Sequence, residues 1–199
     1  MGLHLGIPLG YRAPALQSLR KGNLPVSHDS EQSDPDAPAE RGLPHVRVGP
    51  QGSESRMVDV GSKSTSRRQA LARARVEFPP GLCERVMQGQ GPKGPIEEVA
   101  RSAGILGAKA TGSLIPMCHP LGLDHVQITF EVVDPDTLDV LCSTSCEGRT
   151  GVEMEAMLGA GLAALTVYDM TKGLDKGIRL GAVELLEKSG GASGHWTRS

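Results

Sequence analysis

Residues 126–146 read VQITFEVVDPDTLDVLCSTSC and carry the clearest strand pattern in the chain. Apolar side chains at 126, 128, 130 and 132 alternate with polar ones at 127, 129 and 131, which predicts a half-buried strand of an antiparallel sheet. The turn residues Asp134, Pro135 and Asp136 follow, and 138–146 returns as a second strand. The stretch therefore predicts a β-hairpin with one face on a hydrophobic core.

Cys142 and Cys146 fall on one face of the second strand, where we interpret them as small buried apolar groups. The other cysteines are Cys83 and Cys118, and no two of the four form a C-x-x-C pair. No secretory signal is recognisable, so we expect reduced thiols, without a disulfide framework or a zinc site.

Two long helices are predicted, one before and one after the hairpin. Apolar residues at 96, 99, 100, 103 and 106 give 96–110 a helical period, and Pro95 suits its first position. The longer candidate is 152–172, where no charged residue occurs from 156 to 168 and small side chains are frequent. A helix that is apolar all round is buried, and small side chains let a sheet or a second helix approach closely.

The remaining segments are shorter. Residues 57–60 suggest a short strand, 66–76 fit either a helix or a strand, 82–88 suit a short helix, 179–187 a last strand, and 188–194 a flexible polar loop. Strands and helices without strict β-α-β alternation indicate an α+β sandwich.

Composition limits the classes of function. The 199 residues carry a formal charge of −2 and only 3% aromatic residues, which is unlike a nucleic-acid-binding protein. No apolar run has the length of a membrane span. Residues 1–44 are rich in proline, serine and acidic residues, so we expect a disordered N-terminal extension rather than a transit peptide, with the folded domain at 45–199.

A cysteine and a histidine stand between two prolines in 114–123, LIPMCHPLGL. Pro116 and Pro120 favour extended geometry at the residues before them. The side chains of two consecutive extended residues, here Cys118 and His119, point to opposite faces, so we expect neither a shared metal ion nor a nucleophilic dyad. Two interpretations remain: a buried cysteine with a hydrogen-bonded histidine, or a rigid strand end that presents His119 to a ligand.

In the longest predicted helix, charged residues occur only near its two ends. Glu153 and Glu155 stand at its start and Asp169 and Lys172 at its end. The last two are spaced i, i+3 and can pair, either as a surface ion pair of little energetic value or as a group that moves protons. Glu155 and Asp169 are separated by about 21 Å of helix. One small ligand cannot easily touch both ends, so the two ends have separate roles, or, as we favour, a second subunit supplies one of them.

Two lysines stand in or beside glycine-rich loops, Lys93 in GPKGP and Lys188 before SGGASG. Such loops let backbone N–H groups and an ammonium approach phosphate. Neither has Walker spacing, so from the loops alone a mobile surface lysine is the favoured interpretation of each. The pair Arg67-Arg68 could also contact an anion, and the sequence evidence for this is equally weak.

Five runs of sequence together resemble one family, the cyclic pyranopterin monophosphate synthases, also called molybdenum cofactor biosynthesis protein C. They are MVDVGSK (57–63), LIPMCHPL (114–121), TGVEMEA (150–156), AALTVYDMTK (163–172) and KSGGASG (188–194). They occur in the family's order and spacing, and the resemblance covers about 45–199. An IPxCHPL segment followed by TGVEMEA and YDMxK is highly specific.

The resemblance implies a ferredoxin-like α+β fold, an antiparallel sheet with helices packed on one face. It implies a cytoplasmic homohexamer, a trimer of dimers with active sites between subunits. It also implies a phosphorus-oxygen lyase reaction, in which (8S)-3',8-cyclo-7,8-dihydroguanosine 5'-triphosphate becomes cyclic pyranopterin monophosphate and diphosphate. We expect no cofactor or resident metal, and whether Mg²⁺ accompanies the triphosphate stays open.

Residue roles also follow from the resemblance. Asp169 falls at the catalytic acid/base position, and Lys93 and Lys172 at those of its catalytic partners. The substrate-binding positions correspond to Met117, Cys118, His119, Met154, Glu155, Lys188 and Arg68. Met117 stands where leucine is common and Thr171 where cysteine is common, which are changes of packing only.

Overall fold

The computed structural model describes residues 46–49 and 52–199, so the extension expected at 1–44 lies outside the described residues. The elements are, in chain order, β1 (Val46–Gly49), β2 (Gly52–Ser55), β3 (Ser66–Glu77), α1 (Leu82–Arg85), α2 (Ile96–Leu114), β4 (His125–Asp134), β5 (Thr137–Gly148), α3 (Glu153–Thr171), β6 (Arg179–Ser189) and β7 (Trp196–Thr197). A π-helical turn, Val86–Gln90, continues α1.

The main sheet has five strands in the order β4-β5-β3-β6-β7, and every neighbouring pair is antiparallel. The succession β3-α2-β4-β5-α3-β6 is the split β-α-β arrangement of a ferredoxin-like fold. Both long helices cover one face of this sheet, while β1 and β2 form a separate two-stranded sheet. The predicted α+β class and the predicted hairpin are confirmed.

Side-chain burial explains why 66–76 is a strand and not a helix. Ala70, Ala72, Ala74 and Val76 are buried beneath the helices, and the residues between them face the other side of the sheet. That alternation matches the period of a strand between two partners, β5 and β6. Tertiary pairing therefore overrides the helix propensity of an Ala- and Arg-rich segment.

The opposite face of the sheet carries an ion-pair network. Asp139 of β5 accepts hydrogen bonds from Arg75 Nε at 2.7 Å and Arg73 Nη1 at 3.4 Å, and Arg73 also pairs with Glu184 of β6. Asp139 is only 5% exposed, and a carboxylate is rarely buried to that extent without such partners. The network ties β3 to both of its neighbours.

Glycines bring α2 and α3 close to each other and to the sheet. A Cβ on Gly159 would lie 2.6 Å from Cys142 Sγ, and one on Gly104 would lie 2.9 Å from the Gly159 carbonyl oxygen. Atoms cannot approach that closely, so only glycine fits at these two positions. The small side chains that mark 152–172 in the sequence thus serve the predicted close approach.

Two local predictions are wrong. Residues 57–60 form no strand, because no strand among residues 46–49 and 52–199 pairs with them, and they run without regular structure towards β3. Residues 188–194 are not all loop: Lys188 and Ser189 end β6, where Lys188 pairs with Trp196 of β7. The predicted helices at 82–88, 96–110 and 152–172 are confirmed, with α2 continuing to Leu114.

Candidate active site

A cavity of about 380 Å³ opens beside the start of α3. Three segments form it: the irregular chain 58–63, the connection that follows α2, and the loop that leads into α3. Its lining residues are Val58, Val60, Lys63, Met117, Cys118, His119, Leu121, Thr150, Gly151, Met154 and Glu155. Five predicted substrate-binding residues, from two separate motifs, therefore meet at one cavity.

The connection after α2 is held in a compact turn. Ile115 is extended (φ −105°, ψ 111°), as its position before a proline predicts. The Cys118 N–H donates to the Ile115 carbonyl at 3.0 Å. A Cβ on Gly112 would lie 2.7 Å from Pro120 Cα, so the chain folds back over the last turn of α2 only because that residue is glycine.

His119 fastens the irregular segment to this turn. Its Nε2 lies 2.8 Å from the Val58 carbonyl oxygen, so Nε2 carries the hydrogen that the carbonyl accepts. The hydrogen-bonded histidine of the first interpretation is present, although Cys118 is only partly buried. His119 also lines the cavity, and its presentation to a ligand stays a prediction. Segment 57–60 is therefore a wall of the cavity and not a strand.

Glu155 is the acidic residue of the cavity. It is only 4% exposed, and burial, with a smaller contribution from Glu153, raises its pKa above that of an ordinary carboxyl group. Burial and the nearby Glu155 also raise the pKa of the Cys118 thiol. Cys118 consequently remains a neutral thiol, which agrees with the argument against a nucleophilic dyad.

A second cluster joins three predicted catalytic residues at the far end of α3. Asp169 Oδ1 lies 2.7 Å from Lys172 Nζ, and its Oδ2 lies 3.0 Å from Lys93 Nζ. Lys93 Nζ also donates to the Asp169 carbonyl oxygen at 3.0 Å, which lies in the last turn of α3 and has no helical partner.

The two lysines change the chemistry of the carboxylate between them. Hydrogen bonds from Lys172 and Lys93 lower the pKa of Asp169, and Asp169 in turn raises the pKa of Lys172. Both shifts stabilise the charged forms, so the resting pair is an Asp169 carboxylate and a Lys172 ammonium, and either group moves a proton only after a ligand disrupts their hydrogen bond. All three side chains are about half exposed and can reach an incoming ligand.

The cavity and this lysine cluster lie at opposite ends of α3. Met154 and Glu155 are in its first turn and Asp169 in its last, about 21 Å apart along the helix. Within one chain, the structure brings together the predicted binding residues and, separately, the predicted catalytic residues, but not the two groups.

Arg68 and Lys188 do not line the cavity. Arg68 donates from Nε to the Gly148 carbonyl and from Nη2 to the Arg149 carbonyl, both at 3.2 Å. Lys188 Nζ lies 3.0 Å from Glu153 Oε1. Arg68 therefore holds the chain just before the cavity-lining loop, and Lys188 holds the first turn of α3.

Sequence reasoning missed several cavity residues. The five runs that resemble the family include Lys63, Thr150 and Gly151, but the resemblance gives these residues no role. The sequence pattern predicts a strand for Val58 and Val60. The signal was present in those runs, but periodicity cannot show that an irregular segment lies over a cavity. Lys63 adds a basic group to the cavity.

The described part of the chain shows no metal-binding group, no disulfide and no helix that could span a membrane. Among residues 46–49 and 52–199, no three His, Cys, Asp or Glu side chains are grouped so that they could hold a metal ion. The four cysteines in these residues are free. No helix there is both long and apolar enough to cross a membrane.

Comparison with known proteins gives a consistent result. The sequence profile of the MoaC family matches residues 57–191. The cyclic pyranopterin monophosphate synthase of Novosphingobium aromaticivorans is 47% identical over 145 residues, which are 73% of this chain and 92% of that protein. The synthase of Desulfitobacterium hafniense is 45% identical over 144 residues (72% and 88%). Cyclic pyranopterin monophosphate synthase 1 of Mycobacterium tuberculosis is 46% identical over 145 residues (73% and 85%).

Proposed function

This chain belongs to the MoaC family, and from that membership we infer that it catalyses the formation of cyclic pyranopterin monophosphate in molybdenum cofactor biosynthesis. The proposed substrate is 3',8-cyclo-7,8-dihydroguanosine 5'-triphosphate, and the second product is diphosphate. The observation that carries the proposal is the cavity, which gathers Met117, Cys118, His119, Met154 and Glu155 inside the matched region.

The cavity suits the base-derived part of this substrate. Val58, Val60 and Met117 supply apolar walls, against which a flat heterocycle can pack. Glu155 supplies a buried carboxyl group, which can exchange hydrogen bonds with the N–H groups of a guanine-derived ring. A carboxyl group whose pKa is raised by burial is also a better proton acceptor than an ordinary one.

The lysine cluster suits the triphosphate and the proton transfers. Lys93 and Lys172 are ammonium donors within 3.0 Å of Asp169, and ammonium groups bind phosphate oxygens well. They can neutralise the charge that develops on a departing diphosphate. We assign proton uptake to the Asp169 carboxylate and proton donation to the Lys172 ammonium.

We propose that the complete active site joins the cavity of one protomer to the lysine cluster of another. The support is geometric, since about 21 Å of rigid helix separates the two groups within one chain. A two-fold dimer in which the α3 helices of the two protomers run antiparallel would bring the start of one helix next to the end of the other. The proposed assembly is a homohexamer, a trimer of such dimers.

We propose that the reaction requires no resident cofactor and that any Mg²⁺ arrives with the triphosphate. Treatment with a chelator, followed by assay with and without added Mg²⁺, tests this. We also propose that the enzyme is cytoplasmic, and its four free thiols suit a reducing compartment.

The decisive experiment is incubation of the purified protein with enzymatically prepared cyclised nucleotide. We expect release of diphosphate together with a pterin that oxidises to a fluorescent product. Asp169→Asn serves as the inactive control. Failure of the wild-type protein to release diphosphate from an authentic substrate would overturn the proposed function.

A further inference from the structure

Glu153 joins two parts of the fold that flank the cavity. It is the first residue of α3, and its Oε1 lies 3.0 Å from the Nζ of Lys188, the penultimate residue of β6. The two side chains are 26% and 29% exposed. Because the pair is mostly shielded from water, it is stronger than an exposed surface ion pair.

The Glu153 carboxylate is also packed against the loop that lines the cavity. A Cβ built on Gly151 would lie 1.8 Å from Glu153 Oε2 and 2.7 Å from Oε1. Any side chain at 151 would therefore push the Glu153 carboxylate away from its present position. Gly151 itself lines the cavity, which places the carboxylate directly beside the cavity wall.

Neither Glu153 nor Lys188 lines the cavity. Glu153 therefore acts through the groups it touches, which are Lys188 on one side and Gly151 on the other. A lysine side chain has four rotatable bonds, and fixing it costs up to about 2 kcal/mol of conformational entropy. A partner that fixes the ammonium in advance removes that cost from ligand binding.

We propose that Glu153 is a positioning residue that holds the Lys188 ammonium beside the cavity for the anionic part of the substrate. This inference rests on the proposed function and on the substrate-binding role that the family resemblance gives to Lys188. Glu153 makes no contact with the substrate, and its whole effect passes through Lys188. It follows that Glu153 is dispensable once Lys188 has been removed.

A double-mutant cycle tests this dependence. Steady-state kinetics with the cyclised nucleotide compare the wild type, Glu153→Gln, Lys188→Ala and the double variant. We expect Glu153→Gln to lower kcat/KM about tenfold, mainly through KM, the range expected when a hydrogen bond to a charged group is lost. In the Lys188→Ala background the same substitution should change nothing.

Glu77 provides the matched control. It pairs with Arg179 Nη2 at 2.6 Å and links β3 to β6 at the other end of these strands from Lys188. Glu77→Gln removes an ion pair between elements without altering the cavity, so its kinetics should equal those of the wild type. Thermal melting of each variant shows whether the fold is retained. If Glu153→Gln does not fold, Glu153→Asp, which keeps the charge but shortens the reach, replaces it in the cycle with a smaller expected loss.

Two results would overturn the proposal. The first is unchanged kinetics in the Glu153 variant. The second is an equal loss of kcat/KM from the Glu153 substitution in the wild type and in Lys188→Ala, which would mean that Glu153 acts on the substrate directly. Calorimetric binding of inorganic diphosphate repeats the cycle without turnover. If the wild type turns over no cyclised nucleotide but diphosphate binding shows the coupling, the proposed function fails and the role of Glu153 stands. Normal turnover without coupling in diphosphate binding overturns the role of Glu153 alone.

Discussion

The contact between α3 and the sheet gives a sharp prediction for Gly159→Ala. The new methyl group would lie 2.6 Å from Cys142 Sγ, 3.2 Å from the Gly104 carbonyl oxygen and 3.3 Å from Ala108 Cβ. None of these neighbours is the far end of a flexible side chain, so the helices and the sheet must move apart. Overpacking of this kind costs about 2 kcal/mol.

Alanine also favours the helix over glycine, by about 1 kcal/mol. The expected net effect of Gly159→Ala is therefore a loss of about 1 kcal/mol in the free energy of unfolding. Gly161→Ala is the matched control, since its nearest neighbour, Val183 Cγ2, lies at an ordinary 3.8 Å. That variant should gain about 1 kcal/mol.

Urea unfolding of both variants, followed by circular dichroism at one protein concentration, measures the two changes. The difference of about 2 kcal/mol between them isolates the overpacking, because the helix propensity term cancels. Repeating Gly159→Ala in a Cys142→Ala background removes the closest contact and should recover part of the loss. Equal stabilities for the two glycine variants would refute the close packing described at this contact.

Three further predictions concern the site. Asp169→Asn and Lys93→Ala should lower the melting temperature only slightly, because both side chains are about half exposed, and should remove turnover; full activity in either variant contradicts the assignment. In the pH range between the ordinary pKa of a carboxyl group and the raised pKa of Glu155, the Glu155 carboxyl group is deprotonated in the unfolded chain but still protonated in the folded one. The free energy of unfolding therefore falls as the pH rises through this range. Glu155→Gln should make the free energy of unfolding less dependent on pH there. We expect Lys93→Ala and His119→Ala to be inactive when assayed separately. If each site draws on two protomers, a mixture of the two variants that is unfolded and refolded together should regain about a quarter of the wild-type activity. Activity of the mixture no higher than that of the separate variants argues for sites within one chain.

Much of the fold could be predicted because its elements have strong local patterns. The alternation in β4 and the uncharged length of α3 each specify an element and its buried side. Segment 66–76 could not be decided locally, because alanine and arginine favour helices and only pairing with β5 and β6 makes it a strand. The strand predicted at 57–60 is wrong for the opposite reason, since its valines suit a strand but no strand in the described part of the chain pairs with it.

The candidate site likewise has some features that the sequence predicts and others that it does not. The Asp169–Lys172 pair and the separation of the two helix ends follow from spacing within one helix. The partners of Arg68 and Lys188 could not be predicted, because they lie 80 or more and 35 residues away in sequence. No periodicity carries information over such distances. The contact of His119 with Val58 is of the same kind, at a sequence separation of 61 residues.

The helix α3 also has a consequence for how this chain can change in length. In the proposed assembly it serves as a spacer that sets how far the cavity lies from the lysine cluster of the same chain. Inserting or deleting one turn would shift the two ends by about 5.4 Å relative to each other, and every site in the assembly would be affected at once. Insertions are therefore expected to be tolerated in the exposed turn at 173–177 and not within Glu153–Thr171.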